Sequence, residues 1–329
     1  MKTQIKKLSL VALVLLSFSC DKDNGNDEPT KNPPTAQAIR NIRDASLAQA
    51  TQTFTLPANE ASHEFTSTKG VKFTITRSCL NLNGAAVTGD VNIKFIEVFD
   101  GGKMLTANKT TMGLLPDGNR GVIISGGEFF VNATSGGQQL ALSCGIPFQI
   151  PTNLTGGPES GMLLWTGTED AQGNVDWKRA DNAAGTNGGV DVGGQGQQNM
   201  TYYTVFNQFG WTNVDKFYSD PRPKTTIQAT VPSGYNNTNC AIYLHYDGEG
   251  NALARLDTYN STTGIFSEHY GQIPIGLACH IIFATEESGQ WRYSIKAATI
   301  TAGATYNFTM SETTVGTQAQ LEAAINALP

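Results

Sequence analysis

The patterning of this chain predicts an all-β protein of two β-sandwich domains, and three observations predict it. Apolar and polar residues alternate over short runs, as in Val71-Lys-Phe73-Thr-Ile75-Thr, the period-two signature of a half-buried strand. Gly, Asn and Asp separate those runs, at the spacing of roughly 8 to 12 residues expected of sandwiches. The composition includes 35 glycines and only 15% charged residues. Few stretches show helical periodicity, which suits an exported all-β protein.

The chain opens with a basic start (Lys2, Lys6, Lys7), a short apolar run from Leu8 to Leu16, and Ser17-Phe18-Ser19-Cys20. This is the layout of a secretory signal, with an apolar run shorter than the roughly 20 residues a spanning helix needs. The cysteine after Ser19 resembles the lipobox of bacterial lipoproteins, in which the signal is cut before an acylated cysteine. The chain departs from that box at Ser17, where an aliphatic residue is usual, with Leu16 one place further out. The alternative is an ordinary secreted protein with an incidental Cys20. The resemblance implies a signal peptide over 1–19, lipidation of Cys20, and the membrane as a partner through that lipid. Each buried acyl methylene contributes about 0.8 kcal/mol to such an anchor. The acidic run from Asp21 to Glu28 resembles the signal that sends lipoproteins of the Bacteroidota to the outer face of the outer membrane. The plainer alternative is a solvated spacer.

Charge and cysteines narrow the function classes further. The chain of 329 residues has a formal net charge of −6, which becomes more negative once the lysines of residues 1–19 are removed. An acidic exported protein is a poor match for nucleic acid. Besides Cys20 there are Cys79, Cys144, Cys240 and Cys279. They fall two per expected domain, so a bridge within each is one reading and buried packing thiols the other.

In chain order, residues 20–52 are expected to form a tether broken by Pro29, Pro33 and Pro34, then a short helix from Thr35 to Thr51 capped by Thr35. The first sandwich is expected over 53–160. Continuing the parity of Val71 to Thr76 puts Arg77 and Cys79 on the apolar face, and Leu140-Ala-Leu142-Ser-Cys144 ends its own apolar face in cysteine. Residues 161–218 read as an aromatic hairpin, a low-complexity stretch from Asp181 to Gln198, and a junction strand through Trp211 and Phe217. The second sandwich, over 219–312, carries seven strands, among them Ala241 to Tyr246, Ala278 to Thr285 and Trp291 to Ala298. A short helix is expected within 313–329.

Several stretches carry a family resemblance. They are Gly89-Asp-Val91 and Phe95-Ile-Glu97-Val-Phe-Asp, then Met104-Leu105, Asn108 and Thr111, and Ser125-Gly126-Gly127-Glu128-Phe129. The pattern is similar to a module of Bacteroidota surface lipoproteins and, more distantly, to the β-sandwich of ankyrins and netrin receptors. It covers about residues 53 to 155. The motif Gly210-Trp211-x-Asn213-x-Asp215-x-Phe217 resembles the same set, where it leads into an immunoglobulin- or transthyretin-like sandwich. The resemblance implies no catalytic residues.

Two constellations invite chemistry. Asp247, Glu249 and Asn251 place alternate oxygen donors on one loop, as a Ca²⁺ site does, although six to eight ligands are needed and turns favour the same residues. Trp211, Asn213, Asp215 and Phe217 share one side of a strand. They suit either a sugar surface, with rings stacking and polar groups fixing hydroxyls, or a domain junction. His63, His245, His269 and His280 have no metal-type close spacing, though His245 and His280 fall on second-domain strands that can be neighbours. No phosphate loop or nucleophile elbow is present in the sequence. The reading is therefore a non-catalytic surface lipoprotein with no cofactor, binding a glycan or protein partner or serving as structure. Its rivals are a glycan-binding accessory, marked by exposed Trp165, Trp177 or Trp291, and a hydrolase with dispersed residues.

Overall fold

The computed structural model describes residues 32–115, 117–180, 189–194, 196 and 200–329. The expected signal, Cys20 and most of the tether lie outside them, as does much of the low-complexity stretch. Residues 33–329 form one compact unit, mostly strand with three short helices. The all-β expectation therefore holds.

Both terminal helices follow from their caps. The Thr35 side chain accepts from the Ala38 amide and starts the helix Ala36–Ala50. Thr317 and Gln320 form a reciprocal capping box that starts Gln318–Asn326. A third helix, Gly101–Thr106, is capped by Asp100 and carries no long apolar period to announce it.

The first half is a sandwich whose core is phenylalanine. A five-stranded sheet, with Lys72–Thr76 and Ile146–Pro151 at its centre, faces an eight-stranded sheet that contains Val91–Val98 and Arg120–Ser135. Between them Phe73 stacks on Phe95 with centroids 4.9 Å apart, and Phe148 on Phe206 at 3.9 Å. Part of the low-complexity stretch is structural after all. Val190–Gly194 pairs with Met200–Phe206 and forms one edge of the smaller sheet.

The eight-stranded sheet curls until it meets itself. Arg120–Ser135 pairs with Gly210–Phe217, which pairs with Leu163–Glu169, then Val175–Arg179, then Met112–Leu114, which pairs back to Arg120–Ser135. Five strands thus close a small ring. In register, Gly113, Trp177, Gly167, Trp211 and Phe130 lie side by side across it. The glycines make room for the indoles. A Cβ on Gly167 would sit 2.8 Å from both Trp177 and Trp211, and one on Gly113 would sit 3.1 Å from Trp165. Because Trp165 reaches Gly113 from two strands away, this shared face is the ring's interior.

The ring is also a party wall. Ile123 clusters with the tryptophans, while its neighbours Val122 and Ile124 point the other way into the core of the second half. The segment 161–218, expected to link two separate sandwiches, supplies three of the five ring strands. In the second half a five-stranded sheet centred on Cys240–Tyr246, Ala278–Glu287 and Gln290–Thr299 packs on a four-stranded one built on Ile265–Ser267 and Gln228–Thr230. Among the described residues no helix is long and apolar enough to cross a membrane.

Candidate functional site

The strand Gly210–Phe217 carries the first set of residues singled out from the sequence, and burial decides their role. Trp211 is 4% exposed, and Asn213 and Asp215 are 0% exposed. No sugar-facing surface exists there. The Asn213 amide donates to Asp215 Oδ2 at 2.5 Å, and Ser125 Oγ donates to Asn213 Oδ1 at 3.1 Å. Asn213 sits opposite Glu128, and a bulge follows, with Gly126-Gly127 on one strand against Val214 on the other. Gly127 has φ +133°, and a Cβ there would lie 2.6 Å from the Phe129 ring, so only glycine fits.

The bulge turns a second carboxylate inward. Glu128 is 0% exposed, and neither of its oxygens has a hydrogen-bond partner. Burial pushes its pKa well above the usual carboxylate value, with the Asp215 charge pushing the same way and Lys109 opposing. Burial likewise raises Asp215, against hydrogen bonds from Ser125, Gly126 and Asn213. The Lys109 ammonium donates to Glu169 and to the Gly173 carbonyl, and lies 5.1 Å over the Trp211 ring. The motif residues thus belong to a buried polar core in the ring, alongside Glu128, which also stands in the resemblance motif, and Lys109, which no pattern in the sequence marks.

The loop Asp247-Gly-Glu249-Gly-Asn251 does not present its oxygens together. Asn251 donates to the Ser125 carbonyl and ties the loop to the ring. Asp247 turns to the histidines instead. His245 and His280 are a direct cross-strand pair, and Asp247 Oδ1 lies 2.7 Å from His280 Nδ1 and 3.5 Å from His245 Nδ1. Desolvation lowers the His245 pKa despite Asp247, so its imidazole is neutral at pH 7.

A cleft opens where the two halves meet, about 260 Å³ in volume. Arg120 grips Asp176 with two nitrogens, at 2.7 and 3.0 Å, and reaches Asp257 on the other half at 3.4 Å. Asp257 also pairs with His269 at 2.7 Å. The Asp176 hydrogen bonds raise the Arg120 pKa further, so the guanidinium stays charged. At the cleft floor Arg255 donates to Asn174, and its Nε is buried without a partner. None of these residues stands in a motif. Ring closure brings Arg120 to Asp176, the second half brings His269 to Asp257, and the docking of the halves adds the contact of Arg120 with Asp257.

The cysteines divide. Cys79 and Cys144 are joined, closing a sequence separation of 65. They do so at the edge of the first core, because the strand stops at Thr76 and a 3₁₀ turn, Arg77–Cys79, breaks the parity that would have carried them inward. Cys240 and Cys279 are free and buried, which corrects the expected second pairing. They sit on neighbouring strands, but Cys240 lies opposite Thr285 and Cys279 opposite Tyr246. That offset of six residues is roughly 20 Å along the strands, far beyond disulfide reach. All four tryptophans are buried, so the exposed indoles expected of a glycan-binding accessory are not there.

Compared with protein-family models and with curated proteins, the chain matches none.

Proposed function

We propose that this chain is a lipid-anchored module of the outer-membrane surface that acts by binding and not by turnover, with the cleft around Arg120 as its ligand site. The anchor rests on the basic start, apolar run and Cys20. The observation that carries the binding reading is the cleft itself, where charges from both halves pair across a shared opening. Rigid paired charges of this kind suit recognition of polar groups, since each is already oriented before a ligand arrives. A peptide or protein partner fits better than a glycan, because all four tryptophans lie in the interior and the exposed ring of Tyr203 does not line the cleft.

Two measurements test this. Metabolic labelling with a radioactive fatty acid should mark the wild type and not Cys20→Ala, and label persisting in the variant overturns the anchor. Peptide and glycan arrays probed with the purified protein should give saturable binding that Arg120→Ala weakens about tenfold or more. Turnover of a hydrolase substrate, abolished by Asp257→Asn or His269→Ala, would overturn the non-catalytic reading.

A further inference from the structure

The corner of the second half where His245, Asp247 and His280 meet lies outside the cleft and has chemistry of its own. His245 is directly opposite His280 on the paired strands Cys240–Tyr246 and Ala278–Glu287. Directly opposed residues share a face. Two residues further in, Tyr243 and Ile282 fill that face as core. The histidines therefore replace apolar residues in the last row of the sheet. Immediately after, the chain turns, with the Asp247 amide bonded to the Ala278 carbonyl at 3.2 Å, and this turn delivers a carboxylate to the pair.

We propose that His245, Asp247 and His280 form a binding site for a divalent transition-metal ion of the zinc class, with one coordination position left for water or an outside donor. One donor atom from each residue, a ring nitrogen of each histidine and a carboxylate oxygen, lies within 4.8 Å of the other two. Around a tetrahedral ion with bonds of about 2.0–2.1 Å, such atoms stand roughly 3.3 Å apart. The Asp247–His245 separation of 3.5 Å is already close to that, the Asp247–His280 separation of 2.7 Å has to open by about 0.6 Å, and the two histidine nitrogens, within 4.8 Å, have to draw together. In the metal-free protein His280 Nδ1 and Asp247 Oδ1 share a hydrogen bond of 2.7 Å. The ion takes the proton's place, and the proton leaves to solvent or moves to the other ring nitrogen.

An independent observation points the same way. His245 is 1% exposed and its Nδ1, aimed at this corner, has no hydrogen-bond partner. Buried ring nitrogens are seldom left so. The corner is preorganised, since strand pairing fixes both rings, and Gly101 of the helix Gly101–Thr106 packs against the His245 ring. A Cβ on Gly101 would sit 3.7 Å from His245 Cδ2. It is also reachable, because the His280 and Asp247 side chains keep 14% and 17% of their surface exposed. Two imidazoles and one carboxylate suit Zn²⁺, Ni²⁺ or Co²⁺ and are a poor set for Ca²⁺, which takes oxygen.

The test uses the full chain in detergent, stripped with EDTA and titrated with Co²⁺ by visible absorption and with Zn²⁺ by calorimetry. The wild type should take up one ion per chain and show the visible bands of a low-coordinate Co²⁺ site, and Zn²⁺ should raise its melting temperature. His280→Ala and the near-isosteric Asp247→Asn should each weaken binding about 100-fold or more. His269→Ala and His63→Ala should leave it unchanged. His245 is too buried to rely on for a variant that folds, so Asp247→Asn carries the test. Absence of stoichiometric uptake by the wild type, or equal uptake by Asp247→Asn and His280→Ala, overturns the site.

Discussion

Two polar clusters lie about the interior of this molecule, and they differ in how they meet water. In the ring, Glu128 and Asp215 are wholly buried among tryptophans, with Ser125, Asn213, Lys109 and the Gly126 amide as polar neighbours. At the end of the second half's sheet, Asp247 and His280 meet solvent while His245 does not. The first arrangement can hold charge only at a cost in desolvation, so its acids are pushed toward the neutral form. The second keeps its donors reachable. Burial makes one cluster a matter of architecture and leaves the other open to chemistry.

The largest expected effect comes from removing the ring's cation. The Lys109 ammonium bonds Glu169 and the Gly173 carbonyl, covers Trp211, and is the one charge that favours ionised Glu128. Lys109→Met should lower stability by about 2 kcal/mol in urea denaturation, because the buried Glu128 loses its nearby cation and Trp211 its ammonium, while Glu169, 40% exposed, can turn to water. Adding Glu128→Gln should return part of that loss if the two groups are coupled. The same loss with and without Glu128 would mean that the ring's charges act separately.

How much of this was legible in the sequence depends on the range over which each feature is decided. The helix after Thr35 was legible because its cap is local and the one within 313–329 because its composition is helical, as were strands such as Ala241 to Tyr246 with clear boundaries. The helix after Asp100 was not, since six residues of Gly-Gly-Lys-Met-Leu-Thr carry too little period. Trp211, Asn213 and Asp215 stood out by alternation, but whether that face met water depended on ring closure by strands far apart in sequence. His245 and His280 were seen as possible neighbours, yet their register, and the turn that adds Asp247, are tertiary facts. The cysteines follow the same rule. Parity placed Cys79 and Cys144 together by a strand that in fact ends early, while register alone forbids a bridge between Cys240 and Cys279.

A smaller effect should appear with pH. Glu128 has a folded-state pKa raised above its unfolded value, so between those two values the native state holds a proton that the unfolded state has released. Its contribution therefore falls as pH rises above the ordinary carboxylate range. Glu128→Gln mimics the neutral acid at every pH. Melts at pH 5 and pH 8 should show the variant equal to wild type at the lower value and more stable by about 1 kcal/mol at the higher. A constant difference at both would mean that Glu128 does not change its protonation on unfolding.

The smallest effect is expected at the sheet's end, and it sharpens the contrast most. Asp247→Asn, measured with EDTA present, removes a carboxylate as Glu128→Gln does, but from a place that water reaches. The asparagine oxygen still accepts from His280 Nδ1, replacing the 2.7 Å contact of the acid. Partly solvated charge pairs contribute little to stability, so the cost should stay below about 1 kcal/mol and change little with added salt. His245 keeps its unpartnered nitrogen either way, so no new buried polar atom is created. If urea denaturation instead shows a loss as large as that of Lys109→Met, the corner is as sealed as the ring. The distinction between an architectural cluster and an accessible one then fails. If the loss is small without metal and the stabilisation by Zn²⁺ vanishes in the same variant, the carboxylate serves the ion and not the fold.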